Sequence, residues 1–243
     1  MMDMEYNRTS PFISNCLHYS SEFHPYVGEF RYICGYSPDI YSRERRLKNG
    51  STMNILILNA SPRPNGGIAR MLQAMEEEAL ACGARVVNLR VADLKVRPCT
   101  GCMTCRTALR CTLPEDDAQC VVRLLGECQV LVIGAPCYWG NMPGTLKVLF
   151  DRMVYGLIEQ SGTGLPRPLH AGKDAVLVST STTAFPFNIL FHQTSGTVRA
   201  LKAILKWSGF HVFRRIERGG VRQKPVGEKD LNRCRKVMRK LCK

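Results

Sequence analysis

The sequence predicts an α/β domain: a doubly wound, five-stranded parallel sheet with helices on both faces. Three observations carry that expectation. Short apolar runs alternate with amphipathic stretches from residue 53 to the end, and this alternation requires crossovers that leave neighbouring strands parallel. The third run, Gln129 to Ala135, is apolar almost throughout, as a strand covered on both faces must be. The chain has 243 residues and 45% hydrophobic composition, which suits one sizeable core better than two domains.

Each element has its own signal. Asn54 to Leu58 reads as a buried strand, and a Pro- and Gly-rich turn leads into a helix over about Ile68 to Cys82. That helix carries Met71, Leu72, Met75, Ala79 and Leu80 on one face. Arg85 to Val91 is the second strand, and Asp116 and Asp117 are expected N-cap residues for a helix to about Leu125. Beyond the third strand come a helix over about Pro143 to Tyr155, a strand at Asp174 to Ser181 and a helix at about Ser195 to Ser208. A strand at His211 to Glu217 and a basic helix from about Glu228 complete the order. Residues 1–52 show neither period and are expected to be a poorly ordered extension, leaving 53–243 as the functional domain. Met53 directly precedes the first strand, which motivates the hypothesis that translation starts there. Recovery of peptides from residues 1–52 in the native protein would rule it out.

Composition narrows the setting. Twelve cysteines would suggest a disulfide scaffold in a secreted chain, but no N-terminal stretch has the order of a signal peptide, so a reducing, cytoplasmic setting is expected. No apolar run approaches the length that spans a bilayer, so no membrane association is expected. The net charge of +14 concentrates at the end, where residues 199–243 hold fifteen basic and three acidic side chains. Such an excess suits an acidic redox partner, the extra phosphate of NADPH or nucleic acid, and equally an ordinary solvated face. Leu231, Cys234, Met238, Leu241 and Cys242 give the last helix a core-facing stripe, which weighs against nucleic acid.

In open parallel sheets, ligands bind beyond the carboxyl ends of the strands. After the first strand the chain reads Asn59, Ala60, Ser61, Pro62, Arg63, Pro64, Asn65, Gly66, Gly67 and opens a helix. Backbone amides there face a phosphate, with a hydroxyl, a forked cation and an amide beside them. It is neither a P-loop nor a G-x-G-x-x-G fingerprint. After the third strand come Pro136, Cys137, Tyr138, Trp139, Gly140, Asn141 and Met142. The aromatic pair either stacks on a flat ring, whose polar edge Asn141 and free amides can meet, or caps the core.

Between the second strand and the next helix, Cys99, Cys102, Cys105 and Cys111 form a C-x2-C-x2-C-x5-C run. Thiolates at such short spacing converge easily on one centre. Zinc sites usually separate their cysteines into pairs, so the run favours a cluster, with zinc or metal-free thiols as rivals. Cys16, Cys34, Cys82, Cys120, Cys128, Cys234 and Cys242 have no ligand spacing and read as packing or surface residues. Cys137 reads as a small buried hydrophobe. His170 and His192 fall in loops and read as surface residues, so no catalytic residue is assigned.

The two loops together resemble the NADPH-dependent FMN reductase and flavodoxin-like superfamily over about Met53 to Val221. The resemblance implies a flavodoxin-like fold, with Ser61-Pro62-Arg63 and the following Asn65, Gly66 and Gly67 on the FMN phosphate. Pro136 to Met142 would lie against the isoalloxazine, and the turn of Ser179, Thr180, Ser181 and Thr182 would meet its pyrimidine end. With the cysteine run added, the chain is similar to the iron-sulfur flavoproteins, which implies a 4Fe-4S cluster on Cys99, Cys102, Cys105 and Cys111. Relatives commonly continue the phosphate loop with Asn and then Ser or Thr, whereas this chain has Gly67 and Ile68, a loss of polar contacts. The implied activity is electron transfer from NAD(P)H or ferredoxin through FMN and the cluster. The implied assembly is a homodimer or homotetramer, with Phe185 to Phe191 as part of the interface. The rival readings are an FMN or quinone reductase without a cluster, and a non-catalytic flavin- or metal-binding protein with a basic docking helix.

Overall fold

The computed structural model describes residues 52–160 and 164–243. The extension expected over residues 1–52 lies, apart from Thr52, outside them. Five strands, β1 (Asn54–Asn59), β2 (Arg85–Arg90), β3 (Val130–Pro136), β6 (Asp174–Thr180) and β7 (His211–Arg218), form one sheet in the order β2-β1-β3-β6-β7. Every pairing in it is parallel, which is the doubly wound, flavodoxin-like arrangement. A separate ribbon pairs β4 (Ile158–Gln160) with β5 (Pro166–Pro168) antiparallel. At three residues each, these strands are too short to leave a periodic signal.

Alternation along the strands builds two cores. Leu56 and Leu58 of β1, Leu131 and Ile133 of β3, and Leu177 of β6 face one side. Ile55, Ile57, Val130, Val132, Val176 and Val178 face the other. The first side is covered by α3 (Asp117–Glu127), α4 (Gly144–Arg152) and α7 (Ser195–Ser208), through Val121, Leu125, Leu146, Leu149, Leu201 and Leu205. The second is covered by α1 (Gly67–Ala81) and α8 (Glu228–Leu241), through Met71, Leu72, Met75, Cys234 and Met238. The remaining helices are single turns, α2 (Cys105–Ala108), α5 (Val154–Leu157) and α6 (Phe187–Leu190). The helix expected over Pro143 to Tyr155 is broken. At Met153 the amide is shared between the Leu149 and Phe150 carbonyls, a tightened last turn that ends α4. No helix among the described residues is long and apolar enough to cross a membrane.

Candidate functional site

Three adjacent strands bring their loops to one end of the sheet. Asn59 of β1 is level with Gly134 of β3, and Pro136 of β3 with Thr180 of β6. The Ala60 and Cys137 amides extend the ladder, donating to the Gly134 and Thr180 carbonyls at 2.8 Å each. Parallel register therefore sets the loops beginning at Ser61, Cys137 and Ser181 side by side.

The first loop is a set of nested turns. Buried Asn59 accepts the Ser61 amide on Oδ1 at 3.0 Å, and Ser61 Oγ accepts the Arg63 amide at 3.2 Å while donating to its carbonyl at 3.0 Å. The Gly66 amide donates to that same carbonyl at 3.2 Å. Asn59 thus sets the loop by an Asx turn, a role that an Asn two residues before a Ser could have signalled. Arg63 and Asn65 are exposed. No side chain caps α1, whose N-cap is Gly66, so its first-turn amides are left for another acceptor. Packing accounts for both Gly67 and Ile68. A Cβ on Gly67 would stand 2.7 Å from Val226 Cγ2, and Ile68 is buried in the core beneath α1.

The second loop is a two-residue hairpin turn. Tyr138 and Asn141 exchange both backbone hydrogen bonds at 2.9 Å, with φ of 52° at Trp139 and 71° at Gly140. Two successive positive φ angles are the signature of a type I′ turn. Trp139 is fully exposed and Tyr138 about half exposed, at 48%, so the pair does not cap the core. Cys137 and Met142 are buried; Met142 packs into the core with α4, and its amide donates to Asn141 Oδ1 at 2.8 Å. The turn is seated on α7, because Thr197 Oγ1 donates to the Asn141 carbonyl at 2.8 Å and a Cβ on Gly196 would overlap the Gly140 carbonyl.

At the third loop Ser179, Thr180 and Ser181 are buried and Thr182 is exposed. Ser179 Oγ has no hydrogen-bond partner, which costs about 1–3 kcal/mol unless a ligand supplies one. An uncapped helix start, an aromatic turn and an orphaned hydroxyl at neighbouring strand ends fit a phosphate-bearing aromatic ring. Beyond this loop, on the β7 side, lies a cleft of about 430 Å³ bordered by Ala184, Phe185, Glu217, Arg218 and Lys224.

Cys99, Cys102, Cys105 and Cys111 all lie on the connection from β2 to α3, on and around α2. The connection is closed at its base by a buried knot. Arg152 Nη1 donates to Asp116 Oδ2 at 2.8 Å and to the Arg97 carbonyl at 2.7 Å, and the Arg97 amide donates to Asp116 Oδ2 at 3.0 Å. Asp116 also caps α3 in a capping box with Gln119. Hydrogen bonds from Thr112 and Thr104 lower the exposed Cys102 thiol to about 7. Burial, and then the charges of Cys111, Cys99 and Cys102, push the Cys105 thiol up. The four sulfurs share one electrostatic neighbourhood. Among the described residues, no three Cys, His, Asp or Glu side chains converge at metal-binding distance. The donor set fits a soft-metal or iron-sulfur centre in kind, and the exposed loop must close to bring its sulfurs to one point.

His170 is not a surface residue. It is 2% exposed, stacks on Phe210 with centroids 4.8 Å apart, and pairs through Nε2 with the Gly156 carbonyl at 2.7 Å. Burial holds its pKa below the usual value. His192 stands in the loop before α7 with φ 52° and Nδ1 3.2 Å from Ser195 Oγ.

Comparison with known proteins agrees with this architecture. An iron-sulfur flavoprotein of Methanocaldococcus jannaschii is 30% identical over 104 residues, 41% of this chain and 51% of that protein. An iron-sulfur flavoprotein of Clostridioides difficile is 23% identical over 191 residues, 77% of each chain. The chain spans about half the length of the archaeal relatives that it matches. Among solved structures, an NAD(P)H:quinone oxidoreductase from Methanothermobacter marburgensis superposes with a TM-score of 0.58 at 19% identity, over 79% of this chain and 98% of that one. An azoreductase from Bacillus anthracis does so with 0.59 at 16%, over 79% and 99%. These structural likenesses speak for the fold. The profile of one family runs over residues 53–217, from just before β1 into β7 and through all three loops, and the chain belongs to that family, the NADPH-dependent FMN reductases.

Proposed function

We propose that the protein is an FMN-dependent oxidoreductase, taking electrons from NAD(P)H or a reduced redox protein such as ferredoxin. They would leave through FMN and a 4Fe-4S cluster on Cys99, Cys102, Cys105 and Cys111. The observation that carries the reading is the meeting of three loops at adjacent strand ends, with the α1 start uncapped and Ser179 Oγ unpartnered. Ser61, Arg63, Asn65 and the Gly66 and Gly67 amides would hold the phosphate. Pro136 to Met142 would line the ring, and Ser179 to Thr182 would meet its polar edge. Bound FMN supplies a ring that accepts a hydride and releases electrons singly. The chain's part is orientation. Thr197 and Gly196 hold the Tyr138 to Asn141 turn on α7, and its left-handed backbone keeps Trp139 outside the core. A cytoplasmic setting and a homodimer or homotetramer belong to the same reading, with the exposed Phe185, Phe187, Ile189, Leu190 and Phe191 on the subunit interface.

A second reading, an FMN or quinone reductase without a cluster, is favoured by one observation, the open arrangement of the four thiols. Anaerobic purification followed by flavin, iron, sulfide and zinc assays separates the two. FMN with about four irons per chain supports the cluster. FMN without iron leaves the plain reductase, and absence of flavin overturns both.

A further inference from the structure

Two thiols outside the cysteine loop meet at the far end of the sheet's second face. Val226, just before α8, touches Gly67 at the start of α1. Near the other ends, Arg239 of α8 pairs with Glu78 of α1 through two hydrogen bonds of 2.5 and 2.9 Å. The helices therefore run in the same direction, side by side. Cys82 caps α1 and Cys242 caps α8. They lie four residues beyond Glu78 and three beyond Arg239, one turn further along the same contacting faces. The ion pair thus fixes the register that sets the two caps opposite one another, and the Cys82 thiol is among the groups that act on Cys242. Both are free, Cys82 exposed and Cys242 half-buried.

We propose that Cys82 and Cys242 are an oxidisable pair that closes to a disulfide between α1 and α8 when the protein meets hydrogen peroxide. The exposed Cys82 sulfur attacks one peroxide oxygen, the O–O bond breaks, and one water leaves as the sulfur becomes a sulfenic acid. The Cys242 sulfur then displaces hydroxide from it, forming the S–S bond, and its proton leaves with the hydroxide as a second water. The two sulfurs lose two electrons and the peroxide gains two. Burial, followed by the Cys82 thiol beside it, pushes the Cys242 thiol up to about 11; it therefore keeps its proton until the second step. The crosslink ties the last helix to the first across nearly the whole domain, a long loop whose closure restricts the unfolded chain. It also locks the α1–α8 pair whose other end seats Val226 against Gly67, beside the Ser61 loop.

The test is independent of bound flavin or metal. The reduced full chain is treated with hydrogen peroxide, alkylated in denaturant and digested without reductant for mass mapping. The expected product is a Cys82–Cys242 linked peptide two hydrogens lighter than its parts. Oxidation should raise Tm by roughly 5 °C, and this rise should vanish in Cys82→Ser and in Cys242→Ser, whose cysteine loop still oxidises. Alkylation of both thiols after oxidation, a crosslink of Cys82 to another chain, or an equal rise in the variants overturns the proposal.

Discussion

Gly67 shows at the scale of one residue how a contact from the far end of the chain dictates a side chain. The Val226 methyl 2.7 Å from the missing Cβ means that an Asn there, the residue that the family resemblance leads one to expect, would overpack the contact between α1 and the segment before α8. Gly67→Asn should lower stability by about 1–3 kcal/mol in urea unfolding, and adding Val226→Ala should return part of the loss. A non-additive cycle is expected, and simple additivity would sink this account. His170 makes a second prediction. Its ordinary pKa is 6.5 and burial lowers it in the folded state, so the unfolded chain takes the proton first. The stability that His170 contributes is whole above about pH 6.5 and is lost as pH falls through the lowered folded value. His170→Gln, which keeps a donor for the Gly156 carbonyl, should flatten the stability curve below pH 6.5 in a urea titration series.

The β2-to-α3 connection is the element on which the cysteine chemistry rests. Its base is the Arg152–Asp116 pair, whose side chains are 0% and 8% exposed. Removing one partner of such a pair strands a buried charge, at about 3–5 kcal/mol. Asp116→Ala should show that loss in urea unfolding and should speed alkylation of Cys99 and Cys105 in pulse labelling. Unchanged alkylation would mean that the knot does not hold the loop. Half of this was legible, since Asp116 before an amphipathic run reads as an N-cap and the structure adds its capping box. Arg152, 36 residues further on, carried no local mark of its role. The β4–β5 ribbon was likewise unreadable, because strands of three residues have no period.

For the whole molecule, one run of exposed apolar side chains stands out among the described residues, from Phe185 to Phe191. Trp139 is fully exposed, Phe185 is 77% and Leu190 66% exposed, and Phe187 stacks with Phe191 at 6.0 Å. Surface of this kind marks an association site. If a second copy covers it, the double variant Phe187→Asp, Leu190→Asp should sediment as a monomer where the parent sediments as a dimer or larger. A monomeric parent would remove the interface from the proposal. Charge is arranged otherwise: α8 turns Leu231, Cys234, Val237, Met238 and Leu241 into the core beside α1, as the stripe in the sequence predicts.

By itself the sequence determined the α/β order, the strands and helices that build the sheet, the three loops at its carboxyl end and the clustering of four cysteines on one connection. These are local matters, set by period, turn chemistry and spacing within a few residues. Only the tertiary structure decided that Trp139 stands outside the core, that His170 lies inside it, that Val226 claims the space above Gly67, that Arg152 locks the cysteine connection, and that Cys82 and Cys242 cap neighbouring helices. Each of these joins positions from 36 to 160 residues apart, or depends on what a loop packs against, and contacts of that kind arise only when the sheet's register has brought distant segments together.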